Sequence, residues 1–361
     1  MAESRAATGL TVQRWDSNFF TQYLQENRFS RYMGAETSSI IQVNNDLRNA
    51  KGKTVTFALA NKLIGAGVTG SATLEGAEED LRTRSFTVNV NKRRHAVIVP
   101  EIEEQYSAIS LRDAGREVLM DWMMENVRDR IIAALGSIDG VAYGSATAAQ
   151  RNTWLTNNSD RVLYGNAKGN SSSLVHATAL ANVDNTNDKL TTASIDLMKR
   201  MALEASPKIR PIRVGEDTRT FVLFCGTRTF RDLKRDTTLM QAQRDALPRS
   251  KDNPLFRGGD LLWDNVVIHE IDDIPIYTGV GAGSIDVSPV YFCGAQSLAY
   301  AISKPTYTIT DDRDYEDKKG VSVNIIDGVE KMRFGTSLTT DTGNTKDNGL
   351  LTGFFAAVAD A

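Results

Sequence analysis

The chain has 361 residues, of which 41% are hydrophobic, 7% aromatic and 24% charged, with a net charge of −3. That composition fits a globular protein with room for two or three domains, and it argues against a dedicated nucleic-acid binder, which needs a basic face for phosphate contacts. No run approaches the ~18 consecutive apolar residues of a bilayer span, and the opening MAESRAATGL lacks a basic-then-apolar signal, so a soluble protein made in a cytosol is expected.

Trp15, Phe19, Phe20, Tyr23 and Leu24 recur at helical spacing, which predicts a helix near 16–26 that needs a surface to lie on. Residues 53–60 (KTVTFALA) alternate as a half-buried strand does. A second strand pattern spans 84–99, with Phe86, Val88 and Val90 on one face and Val97 and Val99 after them. Between the two, Gly65, Gly67, Gly70 and Gly76 punctuate a stretch of little periodicity. Strands joined by so long a loop predict a projecting hairpin with a role outside its own domain. Residues 107–136 give the clearest helix: Leu119, Met123, Val127, Ile131 and Leu135 form a ladder of fours beside Leu111, Gly115, Val118 and Trp122. A step of four drifts around a helix of 3.6 residues per turn, so the apolar stripe winds along a spine of about 45 Å.

Residues 139–190, rich in Gly, Asn, Ser and Thr, read as irregular loops. An α/β alternation follows, with a helix at 192–205, a strand at 220–226 and helical segments near 227–246. Strands are predicted at 264–271, 274–278 and 289–293, and a short helix near 295–302. Residues 305–334 read as a second hairpin, with Val321, Val323 and Ile325 alternating. Cys225 and Cys293 lie in apolar strand-like runs (TFVLFCG and PVYFCGA) without a second cysteine or a histidine nearby. They are expected to be buried, reduced packing residues rather than a disulfide or a metal pair.

Motifs with catalytic overtones dissolve in their context. Gly65–Gly70 (GAGVTG) matches a dinucleotide-loop pattern, but SATLEGAEED follows it where a helix should open. The glycines of TGVGAGSID precede a strand-like segment rather than a phosphate-cradling helix. His269-Glu270 begins like a zinc-protease helix, yet position 273 is Asp and VVIHEIDDIP alternates as a strand. His95, His176 and His269 are the only histidines, and no serine sits in a G-x-S-x-G elbow. Asp311, Asp312, Asp314, Glu316 and Asp317 form an acidic cluster, but Arg313, Lys318 and Lys319 are interleaved and the spacing is not that of a calcium loop. No catalytic, cofactor-binding or metal residue is expected, and the chain reads as a non-enzyme.

The order of terminal arm, projecting hairpin, spine helix, α/β domain and returning hairpin resembles the α+β HK97-type coat-protein fold of tailed phages. Local sequence sharpens the resemblance to the coat-protein family typified by the capsid protein of phage N-four. Its glycine-rich element stands here as LIGAGVTGSATLEGAEEDL (63–81), followed by Arg94-His95-Ala96-Val97 and by Asp160-Arg161-Val162-Leu163-Tyr164-Gly165. Further on come Val267-Ile268-His269-Glu270, the run from Gly294 to Ala301, Asp314-Tyr315, Gly320-Val321 and Ile326 to Phe334. Glu316 departs from the family, in which a glycine usually follows the DY pair. The elements cover about residues 15–335 in family order.

The resemblance implies an N-terminal arm (1–50), an E-loop hairpin (51–100), a peripheral domain with the spine helix (101–190), an axial domain (191–304), a returning hairpin (305–335) and a C-terminal tail (336–361). It implies a major capsid protein of the virion, assembled in the host cytoplasm as hexamers and pentamers into an icosahedral head around double-stranded DNA. The other partners implied are a portal and scaffolding or decoration proteins, with no sequence-specific DNA contact and no membrane. No heptad-rich scaffolding segment precedes the hairpin, so curvature control is expected from a separate protein or from the capsomers alone. An encapsulin-like compartment shell is the alternative. Candidate subunit contacts are Trp15, Phe19 and Phe20 of the arm, the acidic Glu75, Glu78, Glu79 and Asp80 near the hairpin tip, and the basic Lys92, Arg93 and Arg94 of the returning strand. Complementary charge there would specify partner and register.

Overall fold

The computed structural model describes residues 29–48, 52–60, 67–71, 73–76, 78, 83–107, 110–214, 218–246, 261–315, 317–335 and 345–360. Its strands in chain order begin with β1 (Met33–Gly34), β2 (Ile41–Asn44), β3 (Thr54–Ala60), β4 (Thr83–Asn89), β5 (Asn91–Pro100), β6 (Val162–Tyr164), β7 (Ile212–Val214) and β8 (Thr218–Cys225). They continue with β9 (Leu261–Trp263), β10 (Val266–Glu270), β11 (Val287–Cys293), β12 (Leu298–Arg313), β13 (Lys318–Lys331), β14 (Arg333–Phe334), β15 (Lys346–Asp347) and β16 (Leu350–Ala356). The helices are α1 (Glu101–Tyr106), α2 (Leu111–Leu135), α3 (Ala148–Asn157), α4 (His176–Ala181), α5 (Thr192–Glu204), α6 (Thr227–Lys234) and α7 (Thr237–Ala246). The chain forms two compact units, one of residues 1–55, 88–135 and 298–330 and the other of 56–87, 136–297 and 331–361.

The first unit is built on a five-stranded sheet in the order β1-β2-β12-β13-β5. β5 pairs antiparallel with β13, from Asn91 opposite Asp327 to Pro100 opposite Lys318. The predicted spine is α2, whose buried stripe runs through Leu119, Met123, Val127 and Ile131 and widens to Ile132, Ala134 and Leu135 at its end. It lies on β5: a Cβ at Gly115 would stand 3.2 Å from Val97, and the rings of Trp122 and His95 are 4.8 Å apart. A buried acid ties helix to sheet. Asp327 accepts two bonds from Arg130, at 2.6 and 2.7 Å, and one from the Tyr300 hydroxyl at 3.0 Å.

The second unit carries a mixed sheet in the order β6-β16-β11-β8-β10-β9, with β7 beside β8. β8 and β10 are parallel, as are β6 and β16, while β11 runs antiparallel to both of its neighbours. One face buries Ile195, Met198 and Met201 of α5 and Phe230 of α6 with Phe221, Phe292 and Phe355. The other gathers Trp154, Leu155, Ala179 and Leu180 with Tyr164 and Phe354. β3 and β4 make a separate two-stranded sheet; the single strand expected at 84–99 is divided, β4 ending at Asn89 and residues 91–100 forming β5 of the five-stranded sheet. Gly67, Gly70 and Gly76, between β3 and β4, all take positive φ, between 70° and 85°, where a side chain would be strained.

Several expectations change. Residues 298–302, predicted as a short helix, begin strand β12; they are buried on both faces, so no alternation marks them as strand. The segment 350–356 is no tail but a wholly buried strand of the larger sheet, formed by LLTGFFA. The 139–190 stretch is not irregular throughout: it holds α3, β6 and α4, and α3 starts at a capping box of Thr147 and Gln150. The strand expected at 274–278 reduces to one bridge between Tyr277 and Val287, Pro275 having no N–H for a ladder. Residues 136–190 lie in the second compact unit, where Trp154, Leu155, Tyr164, Ala179 and Leu180 join a core of the larger sheet. The helix predicted at 16–26 lies outside the described residues.

Candidate functional site

The groups that could do chemistry are engaged elsewhere. Cys225 and Cys293 are free and fully buried, and burial pushes both thiols far above the usual range. His176 is buried between two phenols, its Nε2 2.7 Å from the Tyr143 hydroxyl and its Nδ1 2.6 Å from that of Tyr164. Burial and then the Arg151 cation bring its pKa down to about 4. His269 is a buried strand residue stacked on Phe224, and His95 rests against Trp122. Among the described residues no group of three or more His, Cys, Asp or Glu could hold a metal ion. In the acidic cluster at the β12–β13 turn, Asp311 pairs with Arg313 at 2.9 Å and Asp314 with Lys318 at 2.7 Å.

Surface is what the first unit offers. Alternation along β5 divides its side chains between the two faces of the sheet. His95 and Val97 face α2, and Arg93 shares their side. Lys92, Arg94, Ala96 and Ile98 line the opposite face. There they border a groove of about 560 Å³ with Ile309, Asp311 and Arg313 of β12 and Gly320, Ser322 and Asn324 of β13. Ile98 is 49% exposed and Ile309 45%, high for aliphatic residues in the middle of long strands. The groove therefore combines two exposed isoleucines with three cations against the single carboxylate of Asp311.

The basic triplet read from the sequence is split by this alternation. Arg93 lies 3.8 Å from Asp327 of its own subunit, which leaves Lys92 and Arg94 on the open face. Desolvation, and next the neighbouring Arg130, lower the pKa of Arg93. Sequence reading missed Ile98, Ile309 and Arg313, which only the register of three strands brings together; the alternation of β5 carried part of that signal. Of the acidic hairpin residues, Glu75 and Glu78 are exposed, and Glu78 accepts a bond from the Gly76 amide at 2.7 Å. Leu74 beside them is 60% exposed, so this stretch is apolar as well as acidic. Glu79, Asp80, Trp15, Phe19 and Phe20 lie outside the described residues.

Comparison with known proteins points one way. The sequence model of a family described as phage capsid protein matches residues 5–358. The major capsid protein of Pseudomonas phage KPP25 is 28% identical over 374 residues, covering 95% of this chain and 94% of its own. A chain from the capsid asymmetric unit of cyanophage Pam1 superposes with a TM-score of 0.82 at 34% identity, covering 100% of both chains. The capsid of Ralstonia phage GP4 shares the fold, with a TM-score of 0.73 at 20% identity over 93% of this chain and 92% of that one. These neighbours have the HK97-like capsid fold, the α+β class that the sequence resemblance implied.

Proposed function

Because the chain belongs to the phage capsid protein family, as a coat protein that forms the shell of a phage head, we propose that its subunits grip one another by seating the acidic, apolar hairpin tip of one copy in the basic, apolar groove of the next. An encapsulin-like compartment is not favoured by these relatives. The observation that carries the reading is the groove itself, lined by the exposed Ile98 and Ile309 together with Lys92, Arg94 and Arg313. Leu74, Glu75 and Glu78 supply the complementary chemistry within the same chain. Such charge pairs select the partner and fix register more than they add affinity, while the apolar side chains supply the burial.

On this reading the copies close as hexamers and pentamers into an icosahedral head, assembled in the host cytoplasm and joined by a portal. The head encloses double-stranded DNA without sequence-specific contacts. A net charge of −3 suits a container whose contents must move in and out, since a basic lining would hold phosphate by counterion release. The protein acts as a structural element and not as an enzyme.

Charge reversal tests the contact. Glu78→Lys with Glu79→Lys should lower the yield of closed particles about tenfold or more in sedimentation, with unchanged circular dichroism of the subunit. Adding Lys92→Glu and Arg94→Glu in the same chain should restore assembly in part. Normal shells from the first variant, or no rescue by the second, would remove this contact from the shell.

A further inference from the structure

The second unit carries a cavity of about 330 Å³ between the start of α3, helix α4 and the segment around Tyr277. Its walls are aromatic and aliphatic. Tyr143 and Tyr277 stack with centroids 4.2 Å apart and planes at 19°, and Leu180 and Val280 also line the space. One cation lines it too. The Arg151 guanidinium lies 4.5 Å over the Tyr143 ring and donates to the Tyr143 carbonyl at 2.8 Å. Its Nε–H is buried without a hydrogen-bond partner, and among the described residues no carboxylate pairs with it. Asn152 uses its Oδ1 to accept the His176 amide at 2.9 Å, which leaves its NH₂ as a second donor on the wall. Both ring nitrogens of His176 are taken by tyrosine hydroxyls, so Arg151 is the charge this cavity presents.

We propose that this cavity binds a small carboxylate with an aromatic body. The Arg151 guanidinium on the cavity wall offers a carboxylate a charge-assisted bond that a neutral ligand cannot match. The stacked tyrosines and Leu180 then offer the flat, apolar wall that a ring prefers. The volume sits at the small end of the ~300–1,000 Å³ range of ligand pockets, which admits a single ring and excludes a dinucleotide. The site shares no residue with the sheet face proposed to join subunits, so its occupancy is tested independently of that contact.

Benzoate is the probe, and benzamide its neutral isostere, titrated calorimetrically into unassembled subunit. Saturable binding with a Kd of about 1 mM or tighter is expected, with benzamide about tenfold weaker or more. Arg151→Met should weaken benzoate about tenfold while leaving benzamide unchanged. Ala177→Trp, at an exposed position on the cavity lining, should block both ligands with Arg151 still in place, and it carries the test if Arg151→Met does not fold. Absence of saturable binding, equal affinity for the two probes, or undiminished benzoate binding by Ala177→Trp would overturn the proposal.

Discussion

Every residue of β11 and β16 is buried in the larger sheet, whereas no residue of β5 is fully buried in the smaller one. The two sheets answer different demands. With helices on both faces, the larger sheet can be apolar throughout, as VSPVYFC and LLTGFFA nearly are. The smaller sheet is covered by α2 on one face and mixes lysine, arginine and isoleucine on the other. A protein that must fold and then associate gains from this division, because a patch that stays wet until assembly cannot also be the core that drives folding. The comparison therefore predicts that substitutions in the larger sheet act on stability, while substitutions on the open face of the smaller act on assembly.

The largest effects should come from a buried, cation-paired acid in each unit, Asp327 in the first and Asp347 in the second. Asp327 is fully buried under the bidentate Arg130 and the Tyr300 hydroxyl. Asp347 is 2% exposed and accepts from Lys331 at 2.8 Å and from the Trp154 indole at 3.0 Å, while Arg161 donates to its carbonyl. Removing either carboxylate strands a buried cation, which costs about 3–5 kcal/mol. Asp327→Ala and Asp347→Ala should each lower the unfolding free energy of the unassembled subunit by an amount in that range, measured by denaturant titration. The difference between them sharpens the comparison. Lys331 is 1% exposed and Arg130 14%, so the stranded arginine can reach water and Asp327→Ala should be the milder of the two. Equal losses would mean that both units hold their charges in equally closed surroundings.

A smaller effect, confined to the second unit, follows from His176. Its folded pKa of about 4 lies below the ordinary value of 6.5, because burial and the Arg151 cation disfavour the imidazolium. The groups facing it are the Tyr143 and Tyr164 hydroxyls, with Trp154 and Phe354 packed edge-on. Between pH 6.5 and 4 the unfolded chain takes up a proton that the folded one refuses. The stabilisation is thus fully present above about pH 6.5, falls as pH drops, and is gone below about pH 4. The total is roughly 2–4 kcal/mol. His176→Gln should flatten that limb of the stability–pH curve, measured as the difference between variant and wild type. An unchanged slope would show that the imidazole is hydrated in solution.

What could be read from the sequence tracks this same division. The spine helix and the strand β13 announced themselves because each keeps one wet face, and a wet face writes a period into the sequence, as Leu119-Met123-Val127-Ile131 and Val321-Val323-Ile325 do. Segments buried on both sides lose that period. Residues 350–356 and 298–302 were illegible as strands for this reason, although the apolar run of LLTGFFA was itself a signal of burial. The start of α3 was readable in Thr147 and Gln150, three positions apart, but its polar body hid it among loop-like residues. The basic triplet at 92–94 was visible as composition. Its division was not, because the acid that claims Arg93 comes from β13, far along the chain.

The smallest expected stability change is also the one that decides the comparison. Ile98→Ser with Ile309→Ser removes two methyl-rich side chains that are 49% and 45% exposed. Each already touches water, so little burial is lost on folding, and β-propensity differs modestly between isoleucine and serine at such positions. The pair should shift subunit stability by within about 1 kcal/mol. By contrast, Phe292→Ala in the larger sheet, a fully buried ring against Phe221 at 4.9 Å, should cost about 3–5 kcal/mol. If the groove seats a neighbouring copy, the serine pair should nevertheless cut the yield of closed particles severalfold, because a few residues dominate such contacts. The measurement is particle yield by sedimentation against unfolding midpoint, variant by variant. Should the serine pair unfold the subunit as readily as Phe292→Ala does, the open face is part of the folding core and the division between the two sheets fails. Should it leave both stability and particle yield untouched, the isoleucines face solvent in the head as they do in the subunit, and the contact between copies lies on another surface.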